Sequence, residues 1–272
     1  MGLTKRIVVI SDIQYPYHDK RALKNVINFI GDYQPDQVIQ IGDFLDLPTP
    51  SRWSQGTREE YRQVVVEHTD GFKREVLTPL RARYGGPTDV LIGNHDERGM
   101  LYLAAKAPAL AEYTEMFHPA KLCDFDGFGI NVMPPFTKIG PDTVAIHGHE
   151  IKGMSQIAGT TAYNHAAKAG INIVMGHTHR LGVRRHTSQW FGGKAIRRWG
   201  FEVGNLMDVR KTQYLGAGAV ANWQQGFGIL YVGKYDVSPY PVDIFADGSF
   251  VVEGERYGAL KRTPSGKFKA AS

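Results

Sequence analysis

Five short segments of the chain each place metal-binding side chains directly after an apolar run. Asp12-Ile13-Gln14 follows Ile7 to Ile10, and Gly42-Asp43-Phe44-Leu45-Asp46 follows Val38 to Ile41. Gly93-Asn94-His95-Asp96-Glu97 follows Val90 to Ile92, His147-Gly148-His149 follows Val144 to Ile146, and Gly176-His177-Thr178-His179 follows Ile171 to Met175. Short β-branched runs that stop at Gly or Asp read as buried strands. Open α/β folds gather their sites at the carboxyl ends of such strands. The five pieces therefore predict one dinuclear metal centre on one rim of a sheet.

The order of elements supports this. A strand over about 6–11, a helix over about 19–32 and a strand over about 37–42 form a βαβ unit with parallel strands. Asp19 is placed to cap the helix, and Leu23, Val26, Ile27 and Ile30 make its apolar stripe. A long helical stretch is expected over about 57–84, with Val64, Val65, Phe72, Val76, Leu77 and Leu80 facing the core. A strand over about 88–93 delivers Asn94 and His95, and helical signals over about 97–116 break near Pro108. Phe125 to Val132 and Tyr240 to Val252 read as hairpins, the second turning at Ala246-Asp247-Gly248. The remaining strands are expected at Thr143 to His147, up to His177, at Ala195 to Val203 and at Gly226 to Val232. Two sheets packed face to face with helices outside follow from this alternation. Residues 1–258 are expected to form one domain and 259–272 a flexible basic tail.

With 272 residues, 42% of them hydrophobic, the chain can bury a full core. No apolar run reaches the roughly eighteen residues of a membrane span, and Met1 to Arg6 shows no apolar export signal. The single cysteine, Cys123, suits a reducing, cytoplasmic setting. The net charge is +5, with basic residues dense between Arg180 and Lys211. That stretch is either a solvated hairpin face or an attraction for a polyanion. Oligomeric state is not legible.

The chemistry follows from the side chains. One carboxylate can bridge two cations, and Asp43 is placed to do so, with Gly42 allowing the sharp turn that brings it in. Asp12 and His179 would complete one metal; Asn94, His147 and His177 would complete the other. Mixed nitrogen and oxygen ligation suits Mn, Fe or Zn. His147 ends its apolar run and is preferred to His149 as the ligand, which leaves His149 to contact substrate. His95 can hold a phosphate oxygen or protonate a leaving group, and Asp96 is the expected partner that fixes its ring. Asp46 orients the loop and a histidine, or serves as a cap.

These segments resemble the calcineurin-like metallophosphoesterases, whose pattern is D-x-H, G-D-x-x-D, G-N-H-D/E, a strand-end His and G-H-x-H. The likeness runs from residue 7 to about 180. It implies an α/β fold, a four-layer α/β/β/α sandwich with the dinuclear site at the strand C-terminal ends, and in-line attack on phosphorus by a metal-bridging hydroxide. By position, Asp12, Gln14, Asp43 and His179 resemble ligands of the first metal, and Asp43, Asn94, His147 and His177 those of the second. Asn94, His95 and Asp96 resemble the catalytic set, with His95, His149 and Arg180 against the substrate. Gly204-Asn205 falls where relatives carry a loop closing the site. Gln14 departs from the pattern, standing where the family has histidine, and implies a weaker first site biased toward Mn. This D-x-Q variant and the Asn222 to Phe227 segment resemble those of phage-encoded members.

The expectation is thus a phosphoesterase using two divalent metal ions, Mn foremost. Few arginines near the motifs favour phosphodiesters over monoesters. A nuclease working through the 180–211 basic stretch, a phosphomonoesterase and a non-catalytic scaffold are the alternatives.

Overall fold

The computed structural model describes residues 4–211, 221–258, 261–262 and 268–269. Its first sheet holds four parallel strands, β1 (Lys5–Ile10), β2 (Gln37–Ile41), β3 (Thr88–Leu91) and β4 (Ile130–Val132). β10 (Gly226–Val232) and β11 (Val237–Asp243) extend it antiparallel beyond β1. The second sheet runs in the order β5 (Thr137–Gly140), β6 (Thr143–Ile146), β7 (Asn172–Met175), β9 (Ile196–Val203) and β8 (Leu181–Ser188). β6, β7 and β9 are parallel, while β8 returns antiparallel to β9.

Strand side chains alternate between faces, and here both faces are buried. Ile7 and Val9 of β1 point between the sheets, where they meet Val174, Phe201 and Val203. Val8 and Ile10 point the other way, onto Leu23, Val26 and Ile30 of helix α1 (Lys20–Tyr33). Beyond the second sheet, Ile173 and Met175 pack on Ala162 and Ala166 of the helix over Thr160–Ala169. This is the expected four-layer α/β/β/α order. Each fully buried aliphatic side chain on α1 is worth about 1.5–3 kcal/mol. Asp19 caps the helix, its Oδ1 accepting from the backbone N–H of Arg21 at 3.0 Å and of Ala22 at 3.1 Å.

Three local expectations change. Over 57–84 the chain is segmented into a 3₁₀ turn (Arg58–Tyr61), an α-helix (Val65–Phe72), a π-helical turn (Lys73–Leu77) and a last α-turn (Thr78–Arg83). Phe72, Val76, Leu77 and Leu80 still face the core, while Val64 and Val65 are only half-buried.

Phe125 to Val132 is not a hairpin. The Arg81 guanidinium holds the loop by donating to the carbonyls of Phe128 at 2.6 Å, Gly129 at 2.7 Å and Gly86 at 2.9 Å. Only Ile130–Val132 is extended, and it pairs parallel to β3.

Ala246-Asp247-Gly248 does turn, with Gly248 N–H donating to the Phe245 carbonyl at 2.7 Å. The flanking strands choose other partners: Val237–Asp243 pairs with β10, and Phe250–Val252 with Glu255–Tyr257. Of the expected tail, Lys261–Arg262 and Phe268–Lys269 pair antiparallel, and its other residues lie outside the described residues.

Strand direction decides what lies near the motifs. β1, β2, β3, β6 and β7 all end at one edge, and so does β9, which carries Val203 there. The β8–β9 turn over residues 189–195 therefore lies at the opposite edge. No helix among the described residues is long and apolar enough to cross a membrane.

Candidate metal centre

After Ile10 the chain leaves β1 and runs beside the loop that follows β2. Gln14 N–H donates to the Asp43 carbonyl at 2.9 Å and Tyr15 N–H to the Phe44 carbonyl at 3.0 Å. Five side-chain-bearing residues of these strand ends have left-handed backbones: Asp12 (φ 48°), Gln14 (φ 54°), Asp43 (φ 54°), His177 (φ 64°) and His179 (φ 57°). Each such residue costs about 1–3 kcal/mol, and such strain gathers where side chains must be aimed. Gly42 (φ 79°) has no room for a side chain, because a Cβ there would lie 2.4 Å from His147 Nδ1. A Cβ at Gly93 would lie 2.2 Å from Asp43 Oδ1. The two motif glycines are what allow the loops to close on one another.

At the middle stands Asp43, buried to 1% exposure. Its Oδ2 lies 3.3 Å from His147 Nε2 and accepts from Gln14 Nε2 at 3.2 Å. Its Oδ1 accepts from the backbone N–H of His95 at 2.9 Å. Ligand atoms of Asp43, His147 and His177 all lie within 4.8 Å of one another. Asn94 joins them, with Oδ1 3.2 Å from His147 Nε2. A second pair stands beside this cluster. His179 Nε2 lies 3.2 Å from Asp12 Oδ1, and Asp12 Oδ2 accepts from His177 N–H at 2.9 Å. All seven expected ligands lie at this one rim.

The donor set fits divalent cations. Asp12 Oδ1, Gln14 Oε1 and His179 Nδ1 are buried without a hydrogen-bond partner, a costly arrangement for polar atoms unless something else engages them. Burial alone would keep Asp43 neutral, but the charge and hydrogen bond of His147, with the hydrogen bond from the His95 backbone N–H, outweigh it and hold the carboxyl well below its usual range. The same contact lifts His147 to about 10 against its burial. His177 goes down to about 4, driven first by burial and then by repulsion from His147.

Further residues of the motif loops surround this group. The backbone N–H groups of Asp43 and Gly93 donate to Asp96 Oδ2, both at 2.8 Å, and that of Leu45 to Oδ1 at 2.9 Å. Asp96 therefore ties the second and third motif loops together and does not fix the His95 ring. Asp46 does that, with Oδ1 2.8 Å from His95 Nδ1. His149 sits at the rim, its ring 5.4 Å from that of His147. Arg180 is buried, its Nη2 donating to Gln156 Oε1 at 2.5 Å.

Other supports come from far along the chain. Asn205 Nδ2 donates to the His179 carbonyl at 2.9 Å, and Leu206 N–H to that of Asp12 at 3.1 Å, so the expected closing loop backs both residues. Glu202, fully buried, accepts from Thr178 Oγ1 at 3.0 Å and Thr161 N–H at 2.8 Å, pinning the last histidine loop to a helix start.

Sequence reasoning missed two neighbours. The half-buried Trp223 ring lies 4.4 Å from the ring of His179. Arg98 donates to the Asp46 carbonyl at 2.6 Å and reaches His95 Nε2 at 2.9 Å. Only its place three residues after His95, on the next helix start, hinted at this.

Residues 5–209 match the model of the calcineurin-like phosphoesterases. The chain is 47% identical to the Gene 54 protein of Mycobacterium phage L5 over 255 residues, covering 93% of this chain and 98% of that protein. It is 47% identical to the Gene 54 protein of Mycobacterium phage D29 over 256 residues, with the same coverage of 93% and 98%. Among solved structures it is similar to a Vps29 single mutant from Entamoeba histolytica, with a TM-score of 0.46 and 16% identity over 92% of this chain and 97% of that one.

Proposed function

The chain belongs to the calcineurin-like phosphoesterase family, and from that premise we propose that it is a metal-dependent phosphodiesterase using two divalent ions. The observation that carries this is the convergence of Asp43, His147 and His177 within 4.8 Å beside the Asp12–His179 pair. Asp12, Gln14, Asp43 and His179 would hold one ion, and Asp43, Asn94, His147 and His177 the other. Manganese suits a set that mixes carboxylate, amide oxygen and imidazole, with iron or zinc as substitutes. Divalent ions bound there would supply a nucleophilic water at neutral pH and neutralise charge on the phosphoryl oxygens.

The chain's own residues would do the rest. Asp43 supplies the negative charge that two cations can share. Asn94 and His95 line the side of the cluster where a phosphoryl group would lie, with Asp46 holding the His95 ring. Asp96 keeps the two loops in register. Preorganised groups of this kind stabilise developing charge without reorganising during reaction.

The diester preference rests on charge. A phosphomonoester brings a second negative charge that an added arginine would meet. Arg98 is committed to Asp46 and His95, and Arg180 to Gln156. β8 and β9 carry Arg184, Arg185, Arg197 and Arg198 of the 180–211 stretch away from the metal edge, which supports a small diester over a nuclease working through those four residues.

Hydrolysis of bis-nitrophenyl phosphate and nitrophenyl phosphate with added Mn²⁺ tests the proposal. Faster turnover of the diester is expected, and a preference for the monoester would contradict it. Metal-replete protein inactive on both esters and on oligonucleotides would support the scaffold reading instead.

A further inference from the structure

The β8–β9 hairpin projects eight residues per strand from the metal edge to the opposite edge, about 26 Å at the usual rise. Its outer half is basic on both faces. Arg185 pairs across the ladder with Trp199 and Thr187 with Arg197, while His186 pairs with Arg198. Because opposed residues share a face and successive residues alternate, Arg185 and Arg197 lie on one side, and Arg184 and Arg198 on the other. Lys194 is in the turn.

Exposed aromatic rings accompany this charge. Trp190 is 76% exposed and Phe191 100%, both in the turn, and Tyr235 on the neighbouring β10–β11 turn is 80% exposed. Between the outer half of the hairpin strands and the β10–β11 turn lies a cavity of about 420 Å³, bordered by Arg185, Arg197, Arg198, Tyr235 and Pro239. Its acidic neighbours are Asp142 and Asp236, the first 3.8 Å from Arg198.

We propose that this hairpin end and cavity bind single-stranded nucleic acid, at a site separate from the metal centre. A flexible strand of phosphates needs cations spread over two faces, which a compact anion does not. Its bases need flat apolar surfaces open to water, which Trp190, Phe191 and Tyr235 supply. The cavity is within the size range that encloses a small organic group, and a nucleotide fits that description. Charge and rings together distinguish this surface from one that merely attracts anions. Since it lies at the edge away from the motifs, it would hold the protein on a strand rather than feed that strand into the cleft. It does not depend on the phosphodiesterase reading.

The test is fluorescence anisotropy of a labelled oligothymidylate of about 15 nucleotides with the full chain. Binding is expected to weaken steeply with salt, with a log–log slope of about −3 if some four phosphates are engaged. The pair Arg185→Ala and Arg197→Ala should make that slope shallower by one to two, roughly one for each phosphate contact removed. The pair Trp190→Ala and Phe191→Ala should weaken binding about thirtyfold or more with the slope unchanged. Inorganic polyphosphate and vesicles of anionic phospholipid serve as competitors of charge alone. Absence of salt-dependent binding would overturn the proposal, as would equal affinity in the aromatic variant or stronger binding to vesicles than to the oligonucleotide. All variants should hydrolyse nitrophenyl esters like the parent chain and melt at the same temperature. Inactivity of the parent on those esters would count against the phosphodiesterase proposal and leave this one standing.

Discussion

Arg98 Nη2 lies 2.9 Å from His95 Nε2, and a guanidinium can only donate. His95 Nε2 must therefore be the acceptor, and its proton sits on Nδ1, where it is donated to Asp46 Oδ1 at 2.8 Å. Asp46 and Arg98 together hold the ring as one neutral tautomer. In this arrangement His95 has no Nε2 proton to give to a leaving group, so a role as acid requires Arg98 to withdraw first. As an oriented neutral ring it can still hold its place beside Asp43.

The pairing makes the two residues energetically coupled. His95→Ala is expected to lower kcat/KM by about a hundredfold or more, and Arg98→Ala by about tenfold. The double variant should be no slower than His95→Ala alone, because Arg98 acts through the ring. Fully multiplicative losses in steady-state kinetics would show that Arg98 works elsewhere.

Metal binding should release protons. In the metal-free protein His147 is raised to about 10 by Asp43, yet a ligand imidazole must be neutral. Mn²⁺ uptake at pH 7 should therefore free about one proton per chain, seen by calorimetry in buffers of different ionisation enthalpy. No buffer dependence would contradict the His147–Asp43 ion pair.

The same shifts set the stability of the metal-free protein. His147, raised above its unfolded value of 6.5, contributes stability that is complete below pH 6.5 and is lost as pH rises toward about 10. His177, lowered to about 4, costs stability as pH falls from 6.5 toward 4, because the unfolded chain takes up the proton first. Melting temperature measured in chelator should peak near neutral pH and fall on both sides. A monotonic rise through pH 9 would be the contrary result.

Gln14 is the point where the chain departs from its family's pattern. Its Nε2 donates to Asp43 Oδ2 at 3.2 Å, and its Oε1 is buried and unpartnered. Two unequal Mn²⁺ affinities are expected, with the weaker site tightened about tenfold by Gln14→His. Equal affinities in the parent chain, or none gained in the variant, would exclude Gln14 as the source of the asymmetry.

Much of this was legible in the sequence because the signals were local. The α1 stripe, its Asp19 cap and the apolar runs before each motif depend on residues within one turn or one strand. What was missed depends on contacts across the fold. Asp96 adjoins His95 in sequence, but its carboxylate turns back to three backbone N–H groups, so the ring finds Asp46 from another loop. Trp223 meets His179 from 44 positions away, through a backbone bond from Gln224 N–H to the His179 carbonyl at 3.0 Å. Phe125 to Val132 alternates like a hairpin, but Arg81 claims the loop carbonyls. The basic stretch of 180–211 is continuous in sequence and divided in space, because β8 and β9 carry its middle to the opposite edge.

The central claim is that Asp43 joins two ions into one hydrolytic centre. Bound manganese and bis-nitrophenyl phosphate turnover, measured on the same preparations of the parent chain and Asp43→Asn, test it most directly. The expected result is two ions per chain in the parent, and loss of an ion with a rate lowered about a thousandfold or more in the variant. An Asp43→Asn protein that keeps both ions and its turnover would contradict it.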